Sequence, residues 1–138
     1  MSNSSSSIVP LFGRLLISII FILGGLSKIA AFSTYTEIVA AGHLPLPKVS
    51  LVIAIVIELL GGLAILAGFC TKFTAWVEFL YLIPTTITFH NFWAFQGAAR
   101  LDNLIHFEKN LAIMGGLLIL ATFGAGAYSI DSARAPKA

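Results

Sequence analysis

Four apolar runs, each long enough to cross a bilayer, govern what this chain can fold into. A spanning helix needs about 20 mostly apolar residues. Residues 11–31, 49–69, 73–93 and 104–124 each meet that length. Together they use most of the 138 residues and leave no room for a soluble domain. Composition agrees. Apolar residues make up 58% and charged residues 10% of the chain, against about 45–50% and about 25% in soluble domains. With a mean hydropathy of +0.97, too little polar side chain is available to coat a globule. The expected fold is all-α: a polytopic membrane protein built as a four-transmembrane-helix bundle over residues 10–131. It is flanked by a disordered serine-rich tail at 1–9 and a C-terminal tail at 132–138. No basic residue precedes the first run and no small-x-small site follows it, so the first span reads as a retained signal anchor.

The net charge of +2 is small and its charges are scattered, which argues against nucleic acid as a partner. The single cysteine, Cys70, excludes an intramolecular disulfide, a CxxC pair and any cysteine-built metal or iron–sulfur site; no metal is expected.

The connections are unequal. Residues 70–72 form a tight turn, whereas 32–48 and 94–103 are long and must share one side, the loop face. His43-Leu44-Pro45-Leu46-Pro47 should be ordered but not helical, because its prolines halt a helix. Pro84, inside the third span, frees the carbonyl of Leu80, which Thr85, Thr86 or Thr88 could re-satisfy. Basic residues divide four against four between the terminal face (Arg14, Lys72, Arg134, Lys137) and the loop face (Lys28, Lys48, Arg100, Lys109). Setting aside Arg14, Lys28 and Lys109 as functional leaves three against two, which favours cytoplasmic termini. Residues 61–69 and 115–123 match at seven of nine positions. That echo fits two hairpins in a parallel repeat and equally fits shared Gly/Leu-rich composition.

Ionisable groups inside spans cost about 2.5–3.5 kcal/mol each, so they face the bundle interior or snorkel to the interface. Arg14, Ser18, Phe21, Gly25 and Lys28 alternate at four and three residues and define one face of the first span. Taken singly, Arg14 and Lys28 read as snorkelling residues. Glu58 lies mid-span, too deep for its short side chain to reach water. It is expected to be buried and either paired with Arg14, Lys28 or Lys109 or used as a proton relay. Glu78, one turn inside the terminal face, is expected to point outward. Near the loop face, Lys28, His90, Asn91, His106, Lys109 and Asn110 come from three spans and share one depth. They are donors and proton carriers, and they read either as helix-end polar groups of an aromatic belt or as one ligand-binding pocket.

Gly25-Leu26-Ser27-Lys28, Glu58-Leu59-Leu60-Gly61-Gly62, Phe89-His90-Asn91-Phe92-Trp93 and Lys109-Asn110-Leu111-Ala112 followed by Gly115-Gly116, in this order, resemble the DoxX family of bacterial membrane proteins over about residues 10–131. The resemblance implies a four-helix bundle in the bacterial inner membrane. It also implies redox associations, such as a subunit of a thiosulfate:quinone oxidoreductase or a membrane partner of thiol and oxidative-stress enzymes. Cys70 lies away from the histidines, so thiol exchange lacks its cysteines.

Three functions compete. The first is an accessory subunit of a redox pathway that binds quinone or another small molecule, has no intrinsic cofactor and acts with partner subunits in the bilayer. The second is a non-enzymatic scaffold of a larger complex, with a homo-oligomer also compatible. The third is a small proton-linked permease around Glu58. Catalytic residues stay unassigned, and whether the chain alone is an enzyme stays open, because it contains no obvious electron carrier. A bis-histidine haem on His90 and His106 is disfavoured by their position near the surface.

Overall fold

The computed structural model describes residues 8–135; the serine-rich segment 1–7 and residues 136–138 lie outside the described residues. Six α-helices follow one another: α1 Val9–Ala30, α2 Phe32–Ala41, α3 Pro47–Ala67, α4 Thr71–Phe89, α5 Gly97–Phe123 and α6 Ile130–Arg134. A 3₁₀ turn, Phe92–Ala94, precedes α5. This is an all-α membrane protein: α1, α3 and α5 are long and apolar enough to cross a bilayer. The fourth long helix, α4, has 19 residues and is broken in polarity by Lys72, Glu78 and five threonines.

The chain runs back and forth as two hairpins. α1 packs mainly on α3, α4 mainly on α5, and α3 against α4 joins the pairs. Small residues permit the first contact. A Cβ at Gly25 would lie 3.2 Å from the Leu59 backbone nitrogen, and one at Gly62 3.0 Å from that of Ile22. Where lipid supplies no hydrophobic drive, such close backbone approach is what holds helices together. The apolar centre is Phe21, Ile65, Ala75, Leu82, Leu117, Leu120 and Ala121. Leu16, Leu23, Ile53, Leu60, Leu80 and Ile119 point outward, where lipid tails are the solvent. Several polar residues do the reverse: Arg14, Ser18, Glu58, Thr71, Thr74, Glu78, Thr86 and Asn110 are all buried.

The predicted α1 stripe is the buried one, with Arg14, Ser18, Phe21 and Gly25 inside. The echo between 61–69 and 115–123 is not matched by its surroundings. A Cβ at Gly61 would overlap the Glu78 carboxylate, whereas Gly115 faces open space. Gly62 meets α1, its own hairpin partner, but Gly116 also meets α1, at Ile17, rather than α4.

Two connections differ from expectation. Segment 32–48 contains α2, because Phe32–Ala41 holds no proline or glycine and its buried Val39 anchors it on α3. Only residues 42–46, around the first proline, stay non-helical. The second loop shrinks because α5 starts at Gly97. At about 1.5 Å per residue, its 27 residues exceed a hydrocarbon core of about 30 Å, so one end protrudes. In α4, Thr85 donates to the carbonyl of Tyr81 (2.8 Å), one residue beyond the carbonyl Pro84 leaves free.

The start of α1 and the segment leading to α6 meet at one end of the bundle. Arg14 does not snorkel. The residue is 1% exposed, and its guanidinium donates to the carbonyls of Ile65 (3.2 Å), Leu66 (2.8 Å) and Tyr128. At the end of α3 the Gly68 and Phe69 amides reach only the carbonyls of Ile65 and Ala64, and the guanidinium adds a donor to Ile65 and one to Leu66; helix-end carbonyls of this kind favour a buried cation over one reaching for water. Asp131, in α6, accepts from the amides of Cys70 (2.8 Å) and Thr71 (2.9 Å) and so caps α4. Burial opposes its charge, but these amide hydrogen bonds prevail and hold its carboxyl below the ordinary value. α6 thus spans the expected tail boundary at 131/132. The turn these contacts hold places Gly68 (φ 66°) and Cys70 (φ 47°) in the left-handed region.

Candidate functional site

At the loop face, four helices bring polar side chains to one cavity. Lys28 sits in the last turn of α1. It turns inward rather than snorkelling: its Nζ lies 2.7 Å from Glu58 Oε2 and 5.3 Å from the centre of the Tyr35 ring of α2. Glu58 is buried, and its other oxygen accepts from the Tyr81 hydroxyl at 2.6 Å. Gly24 makes room for it, since a Cβ there would come 2.8 Å from Glu58 Oε2. A carboxylate held by an ammonium and a phenol is thereby fully occupied in a medium where an unpaired charge is untenable.

His90 terminates α4, where its amide donates to the Thr86 carbonyl. Its ring stacks on that of His106 from α5, with centroids 5.0 Å apart and planes at 19°. Lys109 Nζ lies 2.9 Å from His106 Nδ1, and Asp102 Oδ1 3.8 Å from His106 Nε2. Asn110 is buried and donates to Thr86 Oγ1 at 3.0 Å. Face-to-face histidine rings do not aim their nitrogens at a common iron between them, which counts against a shared haem. Among the described residues no cluster of three or more His, Cys, Asp or Glu could hold a metal ion.

The cavity between these groups measures about 180 Å³, and Lys28, Glu58, Thr85, His90, Lys109 and Asn110 supply its polar lining. Phe21, Leu82 and Ile113 close its apolar side. Larger grooves run along the outside, such as one of about 480 Å³ lined by Val56, Leu60, Phe69 and Phe73. Their linings are nearly all apolar, as expected for surfaces that lipid tails cover. His106 does not line the cavity itself and joins the polar group through its stack on His90 and its contact with Lys109. Asn91 is not among the lining residues; its carbonyl accepts from Ala94 in the 3₁₀ turn. Beside that turn, Phe92, Trp93 and Phe107 pack edge to face, and Arg100 lies 5.6 Å from the Phe92 ring centre.

Two residues escaped or contradicted the sequence argument. Tyr81 was missed, although it sits 10 residues into the 19 of α4 and Glu58 11 into the 21 of α3; equal depth was the available signal. Glu78 was expected to point outward. It is 0% exposed and lies against Gly61, and neither carboxylate oxygen has a hydrogen-bond partner among the described residues. The glycine is the physical reason: without a side chain at 61, α4 can turn a carboxyl toward α3 instead of toward lipid.

A profile of the DoxX family matches residues 9–91. Inner membrane protein YphA of Escherichia coli is 33% identical over 129 residues, covering 94% of this chain and 92% of its own length. Inner membrane protein YqjF of the same organism is 40% identical over 121 residues, 88% of each chain. ER-derived vesicles protein ERV29 of Saccharomyces cerevisiae is 34% identical over 77 residues, 56% of this chain and 25% of its own length. No solved structure matches.

Proposed function

The chain belongs to the DoxX family, and from that premise we propose that it is an inner-membrane accessory subunit that binds the head of a quinone, or a similarly small oxygen-bearing molecule, for a redox pathway. The cavity carries this reading. In a bundle whose other grooves are apolar, one void is lined by an ammonium pair, an imidazole, an amide and a carboxylate. Drug-sized ligands occupy about 300–1,000 Å³, so about 180 Å³ suits a single ring or small anion, with any apolar tail left in lipid. Lys28, His90, Lys109 and Asn110 can donate to carbonyl oxygens. Reduction of a quinone takes two electrons and two protons. Glu58, between Lys28 and Tyr81, can hand a proton on, whereas electrons must come from a partner subunit.

The test is a titration of the purified protein in nanodiscs with a short-tailed benzoquinone, followed by quenching of Trp93 fluorescence in a Trp76→Phe background. Saturable quenching is expected. Lys28→Ala or His90→Ala should weaken it about tenfold or more, the equivalent of one charge-assisted hydrogen bond. Saturable binding unchanged in both variants, with the proteins still folded, overturns the quinone site and leaves the scaffold.

A further inference from the structure

Within the spans, ionisable groups away from the helix ends are few. α1 has none between Arg14 and Lys28, α5 none between Lys109 and Phe123, and α3 none but Glu58 after Lys48. α4 supplies Glu78 and Tyr81 after Lys72. The pairing of Glu58 with Lys28 and Tyr81 leaves Glu78 apart, fully buried and with both oxygens unpartnered among the described residues. An ionised carboxylate without a partner is untenable at that depth, so Glu78 carries its proton.

Its position is not isolated. Glu78 lies against Gly61, one turn from Glu58 on α3; three residues of helix rise about 4.5 Å. Toward the terminal face, the same buried side of α4 continues through Thr74 and Thr71. Thr74 Oγ1 donates to the Cys70 carbonyl at 3.1 Å. Thr71 Oγ1 is buried as well and lies beside the Asp131 carboxylate. Toward the loop face, Glu58 opens on the cavity beside Lys28. Buried polar side chains therefore succeed one another in depth from the terminal face to the cavity, on the facing sides of α4 and α3: Thr71, Thr74, Glu78, Glu58 with Tyr81, and Lys28.

We propose that this succession is a proton path in which Glu78 is the intermediate acid, connecting the cavity to water at the opposite face of the membrane. A proton passes from the Glu78 carboxyl to the Glu58 carboxylate when the cavity takes one up. The ionised Glu78 is refilled from water at the terminal face by way of the Thr74 and Thr71 hydroxyls, so charge and protons balance and no redox step is involved. The path serves whichever ligand the cavity takes.

Infrared spectroscopy of the full chain in lipid at neutral pH tests it, through the carbonyl stretch of a protonated carboxyl. The band should be present, shift on exchange into D₂O and disappear in Glu78→Gln, a neutral variant of the same shape. Thr74→Val, also matched in shape, should slow the D₂O shift about tenfold, the rate equivalent of one lost hydrogen bond. Absence of the band, or its persistence in Glu78→Gln, overturns the proposal. A band that never shifts in D₂O marks a sealed structural acid and also overturns it, as does an exchange rate untouched by Thr74→Val. Quinone titration of Glu78→Gln separates this from the ligand reading, because binding there should match the parent protein.

Discussion

The two ends of the bundle use the same kinds of residue differently. At the terminal face, charges are bound to backbone: Arg14 fills the last carbonyls of α3, and Asp131 receives the first amides of α4. At the loop face, charges meet side chains. Lys28 pairs with Glu58, Lys109 with His106, and the group borders a void. A charge saturated by helix ends is a structural cap, whereas one held by another titratable side chain beside a cavity can exchange its partner for a ligand. Residue type alone does not distinguish these uses; the nature of the partner atoms does.

The largest expected effect sets the two ends against each other. Arg14→Ala removes the donor to the Leu66 carbonyl and the one to Tyr128, and leaves Ile65 with only its bond from the Gly68 amide. Each bond to a charged donor is worth about 1.5–3 kcal/mol, so the loss should be at least about 3 kcal/mol in denaturant unfolding in mild detergent. Lys28→Ala should cost clearly less, because Glu58 keeps Tyr81 and can take up a proton. Equal losses would erase the contrast.

A smaller effect sharpens the terminal-face half. Asp131→Asn weakens the α4 cap by about 1 kcal/mol, and the difference should depend on pH. The carboxyl is held below its ordinary value near 3.8, so its contribution is fully present above that pH. It is lost as pH falls through the lower folded-state value. Acid unfolding curves of the parent and Asp131→Asn should therefore converge in strong acid and separate above about pH 4. A constant gap would show that the amides do not depend on the charge.

The depth of each group was legible in the sequence, and the direction of the side chain often was not. Span positions followed from apolar length, and the α1 face from its four-and-three spacing. Glu58 was placed inside because a glutamate cannot snorkel from mid-span. Arg14 and Glu78 went the other way, for reasons lying outside their own helix: exposed carbonyls at the end of α3 and the missing side chain of Gly61. α6 and its Asp131 cap were invisible because a five-residue helix has too little periodicity to read. α2 was hidden by the prolines that follow it.

The smallest effect probes the loop face most finely. Lys109 is exposed, yet it lines the cavity and contacts His106 at 2.9 Å. If it belongs to a site rather than to the scaffold, Lys109→Ala should leave unfolding within about 0.5 kcal/mol of the parent. An exposed charge contributes less than about 1 kcal/mol, so binding of a short-tailed benzoquinone should weaken by less than about fivefold. Removing the ammonium also frees the Nδ1 of His106, so the ring resonances of the two stacked histidines should move in NMR. A stability loss approaching that of Arg14→Ala, with binding unaltered, would make Lys109 a cap like Arg14, and the two ends of the bundle would no longer differ in kind.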